Sequence, residues 1–460
     1  MVSVPMATES PAVRSLLLVR NGVDHDARVL RAARVAERTI GGRTLILGVA
    51  TATAPAGATI VEGVPVLRLP ARTPGLTRLV ARLEQVMPKR GSTTHGSLPA
   101  VAPAALAATP RLTVNARARR ILSGLSFSRQ AISVARQTRP AVVHANDWNT
   151  MWTGLAIKLG YGARLVYDSH ELWPDRNGRW EWRPWLLAGE ALFVRAADEV
   201  ITSSPGYAEA LARRYRVPRP VVVRNIPERR AGAEALPAEQ TKPRLSPPSP
   251  RPLYPESCPT PTEINSPSSP PRIVYIGGLM PGRGLEQMID ALPYLPDVRL
   301  CAIGPGAARY RLSLLAKAAA AGVGDRVELR APVAPSEVQG ALAGAAAGLC
   351  LIQPICRSYE LSLPNKLFEY AAAGVPVLAS DVPVIAAVVR REGLGEIVPP
   401  GDPSAIAAGL ERLLAPAAWR LAATRMETFA DVHGWSNEVS VLARVYGRIS
   451  HEHVPSGIAS

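Results

Sequence analysis

Long apolar runs, cysteines, aromatic residues and, over one long stretch, acidic residues are all scarce in this 460-residue chain. Each scarcity excludes something. No uninterrupted apolar run approaches the roughly 18 residues that a membrane-crossing helix needs, so no span is expected. The opening MVSVPMATESPAVR lacks a charged start followed by an apolar core, so no signal peptide is expected. Four cysteines, Cys258, Cys301, Cys350 and Cys356, show neither CxxC nor other metal-ligand spacing and are too few for a disulfide framework. They are expected to be reduced thiols of a cytoplasmic protein. Hydrophobic residues at 47% are too many for a disordered chain, so two or three globular domains are expected.

The charge is uneven. The net value is +16. Between Arg68 and Arg139 there are 13 basic residues against one acid, Glu84, and a single aromatic residue, Phe127. Nucleic-acid binders interleave aromatic residues with basic ones so that bases can stack, so no nucleic-acid partner is expected. A basic face poor in aromatics suits anionic lipid headgroups, an acidic acceptor or plain solvation. An anionic membrane surface bound through 68–139 is therefore a candidate partner. The chain is expected to be cytoplasmic, or peripheral at the inner face of the membrane.

Short apolar strands alternate with helical stretches. Strands are expected at 14–20, 43–50, 64–69, 141–144, 164–168, 199–203 and 220–223, with a helix from Ala27 that Asp26 can cap. Residues 228–271 hold 12 prolines and no periodic apolar face. Proline removes backbone donors, so this stretch is expected to be a linker without regular structure. The alternation then restarts at 272. Alternation of this kind implies parallel, doubly wound sheets. The expected organisation is a tail at 1–12, a first α/β domain at 13–227, the linker at 228–271, a second α/β domain at 272–430, and a closing helical segment at 431–460. Two such domains facing each other make one cleft, lined by the carboxyl ends of both sets of strands.

Three motifs carry chemistry. The first is Gly277-Gly278-Leu279-Met280-Pro281-Gly282-Arg283-Gly284, just after the first strand of the second unit. Its glycines let backbone approach a ligand, the next helix presents its positive N-terminus, and Arg283 can grip a phosphate. A dinucleotide site would need an acid after the next strand, and Ala302-Ile303-Gly304-Pro305-Gly306 has none. A diphosphate is the better fit. The second is Pro364-Asn365-Lys366-Leu367-Phe368-Glu369, opening a helix whose N-terminus favours an anion. Among apolar neighbours, Glu369 needs a partner: two vicinal ligand hydroxyls, or an ion pair with Lys366. The third is Asp168-Ser169-His170-Glu171 at a strand end facing the proposed cleft, with His144 to Asn149 at a similar strand end upstream. The cluster Trp173, Trp180, Trp182 and Trp185 follows, for packing or for stacking on a sugar.

In this order the motifs resemble glycosyltransferase family four, the retaining GT-B enzymes. NGVDHDARVLRAA is similar to that family's opening strand–loop–helix, VHANDWN and LVYDSHELWPD to its acceptor-domain strand ends, and VVVRNIP to the close of the first domain. YIGGLMPGRG is similar to its phosphate loop, LPNKLFEYAAAGVPVLASD to its donor-binding helix, and HGWSNEVSVLARVYGRI to the helix that crosses back onto the first domain. Leu361 stands where the family often has a first glutamate, and Pro364, Lys366 and Glu369 fit a Pro-x-Lys-x-x-Glu subgroup.

The resemblance implies transfer of a sugar from a nucleotide-diphosphate donor to a glycan or lipid-linked acceptor, with retained configuration. It implies donor binding by Gly277, Gly278, Arg283, Gly284, Pro364, Asn365, Lys366 and Glu369, with Glu369 on the ribose hydroxyls. It implies catalytic roles for His170 and Glu171, and acceptor-side roles for Asn21, Asp26, Asp147 and Trp148. No metal and no cofactor are expected, because cations and helix N-termini can meet the charge of a diphosphate leaving group. A sugar-nucleotide epimerase or hydrolase, or a non-catalytic binding protein, on the same scaffold are the alternatives.

Overall fold

The computed structural model describes residues 12–24, 26–71, 113–228 and 270–451. Residues 229–269 of the expected linker and the stretch 72–112 of the basic segment lie outside the described residues, as does Cys258.

The first domain runs β1 (Val13–Leu18), α1 (Ala27–Ile40), β2 (Arg43–Val49), β3 (Gly57–Val61), β4 (Val64–Leu69), α2 (Val114–Thr138), β5 (Val142–Asn146), α3 (Trp148–Tyr161), β6 (Arg164–Ser169), α4 (Arg183–Ala196), β7 (Glu199–Thr202), α5 (Pro205–Tyr215) and β8 (Val221–Val222). Its strands lie in the order β3-β4-β2-β1-β5-β6-β7-β8. Neighbours are parallel except β3 and β4. β5 is buried along its whole length, as expected of a strand covered by helices on both faces. The hairpin β3–β4 is not legible from the alternation, because β3 is a mostly exposed edge strand. Its turn residues Glu62 and Gly63 both take positive φ, 46° and 81°, as a type I′ hairpin requires.

The second domain runs β9 (Arg272–Ile276), α6 (Leu285–Ala291), β10 (Arg299–Ile303), α7 (Ala308–Ala320), β11 (Val327–Arg330), α8 (Val338–Leu342), β12 (Ala347–Cys350), α9 (Arg357–Glu360), α10 (Asn365–Ala372), β13 (Val377–Ser380), α11 (Pro383–Glu392), β14 (Gly395–Val398), α12 (Pro403–Leu414) and α13 (Pro416–Val432). Its six strands lie in the order β11-β10-β9-β12-β13-β14, all parallel. In each sheet the first strand sits beside the strand where the winding reverses, β5 in one domain and β12 in the other. That reversal opens a crevice at the carboxyl ends of the strands.

The last helix, α14 (Trp435–His451), leaves the second domain at Gly434 and packs on the first. Trp435, Leu442, Val445, Tyr446 and Ile449 join Leu17, Val29, Leu30 and Ile46 in one core. Burying five large apolar side chains, at about 1.5–3 kcal/mol each, anchors the helix firmly. Two ion pairs fix its register: Glu438 with Arg224 at 2.6 Å and Arg448 with Glu199 at 2.5 Å. No described helix is long and apolar enough to cross a membrane.

Candidate active site in the interdomain cleft

A cleft of about 920 Å³ lies between the domains. The first domain lines it with Asp26, Arg28, Arg31, Arg34, His170, Ser203 and Asn225, and the second with Gly277, Gly304, Pro305, Ser336, Gln339, Asn365 and Glu369.

The first-domain wall is built mainly from α1 and the loops after β6, β7 and β8. Asp168 is the last residue but one of β6 and is buried. Arg28, in the first turn of α1, donates to both its oxygens at 2.8 and 2.7 Å and to the Val223 carbonyl at 2.6 Å. Burial opposes the carboxylate, but Arg28, His170 and His144 hold its pKa well below the usual range. His170 follows one loop position later. Its Nε2 is 3.2 Å from Asp168 and its Nδ1 is 3.4 Å from Asp147. Burial opposes the imidazolium here too, yet Asp147 and Asp168 raise its pKa well above the usual histidine value. His170 is therefore a charged donor at neutral pH. Behind it, His144 is fully buried and neutral, its pKa lowered by burial, with Nδ1 2.7 Å from the Tyr446 hydroxyl of α14.

Asp26 caps α1 by accepting from Val29 at 3.2 Å and also accepts from Asn21 at 2.7 Å. Asp24 pairs with Arg68; with Asp26 it makes an Asp-x-Asp pair, a motif expected to be absent from the sequence. Asp147 precedes α3 but makes no side-chain cap; its carboxylate accepts instead from the His170 backbone N–H at 3.2 Å. Trp148 corrects an expectation. It is a core residue, not an acceptor-side one: its indole N–H donates to the Leu186 carbonyl at 3.0 Å and its ring packs on Trp152, Trp185 and Phe193. Glu171 lies outside the cleft lining, beside Arg176 at 3.9 Å. Burial, then Asp147, push its carboxyl up to about 7.

The second-domain wall differs from the expectation in how its glycines are used. Gly277 lines the cleft at φ 126°. A Cβ on Gly304 would overlap the Gly277 carbonyl, so these two loops meet backbone to backbone. Gly284, by contrast, sits at φ 81°, and a Cβ there would strike Leu351; it serves packing, not ligand approach. Gly278 gives its carbonyl to the Tyr275 hydroxyl at 2.7 Å. Arg283 stacks on the Tyr359 ring at 4.3 Å, outside the cleft lining.

Lys366, in the first turn of α10, is buried with its ammonium over the Tyr275 ring at 3.6 Å and no hydrogen-bond partner. The ammonium lies directly beneath Gly277, 3.8 Å from where a Cβ would stand. Burial, then Arg283, lower its pKa to about 7. No ion pair joins Lys366 to Glu369 among the described residues. Glu369 instead faces the cleft, its pKa raised by burial and held back by Lys366 and Arg31. Pro364 stands at the N-cap of α10 and Asn365 opens onto the cleft. Sequence reasoning missed the arginines of α1. Their spacing of three residues, Arg28, Arg31 and Arg34, is the signal that would have placed them on one face.

Comparison with known proteins accords with this geometry. Residues 74–226 match the family Glycosyltransferase Family 4, and residues 270–416 match Glycosyl transferases group 1. A D-inositol 3-phosphate glycosyltransferase of Salinispora tropica is 27% identical over 329 residues, covering 68% of this chain and 64% of the relative. One from Streptomyces scabiei is 26% identical, covering 68% of this chain and 69% of the relative. Among solved structures, a sucrose-phosphate synthase from Thermosynechococcus elongatus superposes with a TM-score of 0.69 at 17% identity, over 95% of this chain and all of that one. An Anabaena protein, Alr3699/HepE, solved with UDP, superposes with a TM-score of 0.60 at 14% identity, over 95% of this chain and all of that one. With both domains matched in their order along the chain and the two-sheet architecture shared, the chain belongs to the glycosyltransferases, family 4 in its first domain and group 1 in its second.

Proposed function

We propose that this protein transfers a sugar from a uridine diphosphate donor to an acceptor hydroxyl, with retained configuration. The observation that carries the reading is one cleft in which Glu369 and Gly277 of the second domain face His170 of the first. Glu369 would clasp the ribose hydroxyls. The diphosphate would lie over Gly277, where Lys366 and the N-terminus of α10 supply positive potential, with Arg283 one stacking rearrangement away. The base would lie against the loops after β10 and β11, a wall of Pro305, Pro332, Val333 and Gln339 with no carboxylate to meet the N–H groups of guanine. The Anabaena neighbour solved with UDP-glucose supports the same donor class.

In this reading the leaving diphosphate gains charge as the glycosidic bond breaks, and the second domain's cations and helix N-terminus stabilise it. His170, kept protonated, donates to a hydroxyl of the transferred sugar. Closure of the domains excludes water, which would otherwise compete with the acceptor. All the required positive charge comes from side chains and backbone, so the reading includes no metal, and chelators should leave turnover unchanged.

The test is binding of UDP, GDP, ADP and dTDP, read by calorimetry and by thermal stabilisation of the whole chain. UDP should bind at least tenfold tighter than the others, and Glu369→Gln should weaken it by about tenfold. Absence of binding by any of them overturns the reading. Product analysis with and without acceptor separates transfer from epimerisation or hydrolysis.

Attachment to an anionic membrane belongs to the same proposal. Val114, Ile121 and Leu125 form an exposed apolar stripe along α2, flanked by Arg117 and Arg129. Trp182 and Trp185 are also exposed, at 73% and 50%. Apolar residues beside arginines, with no acid in α2, fit the interface of an anionic bilayer.

A further inference from the structure

α2 is about 37 Å long at 1.5 Å per residue, while β5, which follows it, spans about 16 Å. The helix therefore overhangs the carboxyl ends of the strands. Its C-terminal half packs on the sheet through Phe127, Ala131 and Val134, which repeat at alternate spacings of four and three. Extending that series toward the N-terminus gives Gly124 and Arg120. The face that is apolar over the sheet thus becomes a bare glycine and an arginine where it passes beyond the strand ends.

Arg20 meets it there. Arg20 lies two residues past the end of β1, and its guanidinium rests against Gly124, 3.3 Å from where a Cβ would stand. Its Nε is buried without a hydrogen-bond partner, and no carboxylate pairs with Arg20 or Arg120 among the described residues. Arg120 is bounded on another side by the Trp180 ring at 6.0 Å. Burial, then the charge of Arg120, lower the pKa of Arg20, as expected of a cation packed one helical turn from a second one. A partly buried guanidinium beside a second cation is costly unless an anion joins the two.

We propose that Arg20 and Arg120 form a phosphate-binding subsite on the acceptor side, and that the acceptor carries a phosphate group. This rests on the glycosyltransferase reading above and adds the acceptor's chemical class to it. The position suits the role. β1 and β6 are separated by β5, so Arg20 and His170 leave the sheet about two strand spacings, or roughly 10 Å, apart. One phosphorylated sugar or polyol spans that gap. Glycine at 124 leaves room for the guanidinium, and a bidentate guanidinium matches phosphate geometry better than an ammonium does.

The phosphate can belong to a soluble sugar or polyol phosphate or to a lipid. The experiment uses the full chain with inorganic phosphate, a hexose 6-phosphate, the parent hexose, and monomeric dihexanoyl phosphatidic acid, all at fixed chloride. Inorganic phosphate should bind to the wild type and at least tenfold more weakly to Arg20→Gln and to Arg120→Gln. Arg20→Lys should recover part of the loss. Preference for the hexose phosphate assigns a soluble acceptor; preference for the phosphatidic acid assigns a lipid one. Arg120 is exposed, so its variant reports binding without loss of fold. UDP binding is measured in every variant and should stay within about twofold. Equal phosphate binding by the wild type and both Gln variants, or equal binding of hexose and hexose phosphate, overturns the subsite. Failure of UDP to bind any form would instead overturn the donor reading.

Discussion

At the scale of single residues, buried Lys366 and partly exposed His170 behave differently and both can be tested. Lys366 has a pKa near 7 because burial and Arg283 disfavour its charge and no acceptor compensates. A diphosphate over Gly277 would restore the proton. UDP binding near pH 7.5 should therefore take up protons, seen by calorimetry as a dependence on the ionisation heat of the buffer. Affinity should fall with rising pH, by at most about tenfold per pH unit. Lys366→Met should abolish the proton uptake. His170 is the opposite case, charged because Asp147 and Asp168 outweigh its burial. Asp147→Asn should lower the pH at which its ring resonances titrate. A folded pKa above the free value near 6.5 stabilises the fold fully below that pH, and the contribution fades as pH rises through the folded pKa. The stability gap between wild type and Asp147→Asn, read from urea midpoints, should thus narrow at high pH.

At the scale of elements, the glycine loops and the crossing helix set the geometry. Gly304 sits at φ 151° with no room for a Cβ against Gly277. Gly304→Ala should cost about 1–3 kcal/mol and displace the Gly277 loop, so both the melting temperature and UDP affinity should drop. Glu438 is 2% exposed and accepts from the Arg224 backbone at 2.7 Å and from its side chain at 2.8 and 2.6 Å. Glu438→Ala would strand a cation in the joint between the domains and should cost about 3–5 kcal/mol, measured by urea unfolding. The hairpin β3–β4 shows the limit of pattern reading at this scale. Its outer strand is exposed and short, so nothing in its apolar content marks it; the positive φ of Glu62 is a demand of the turn, which glutamate does not signal.

For the whole molecule, the +16 charge is a statement about surroundings. The basic, apolar stripe of α2 should float the protein with vesicles of anionic lipid at 50 mM salt. It should fail with zwitterionic vesicles, and bind much more weakly at 500 mM, where charges are screened within about 4 Å. Ile121→Glu should weaken flotation and leave UDP binding unchanged. Loss of salt dependence would remove the electrostatic share of the reading.

The sequence alone determined the two doubly wound domains, the presence of a closing amphipathic helix though not where it packs, and the three places where strands end in polar residues. Those features are local: strand and helix periodicity, glycine and proline positions, and a capping aspartate each act within a few residues. Tertiary structure alone decided which of the named residues share a site. Trp148 went to the core, Gly284 to packing and Arg283 to an aromatic stack, while Arg31 entered the cleft and Lys366 came to lie under Gly277 from 89 residues away. A side chain's neighbours across a fold depend on strand order and helix rotation, which are fixed by the packing of the entire chain, not by any stretch of it.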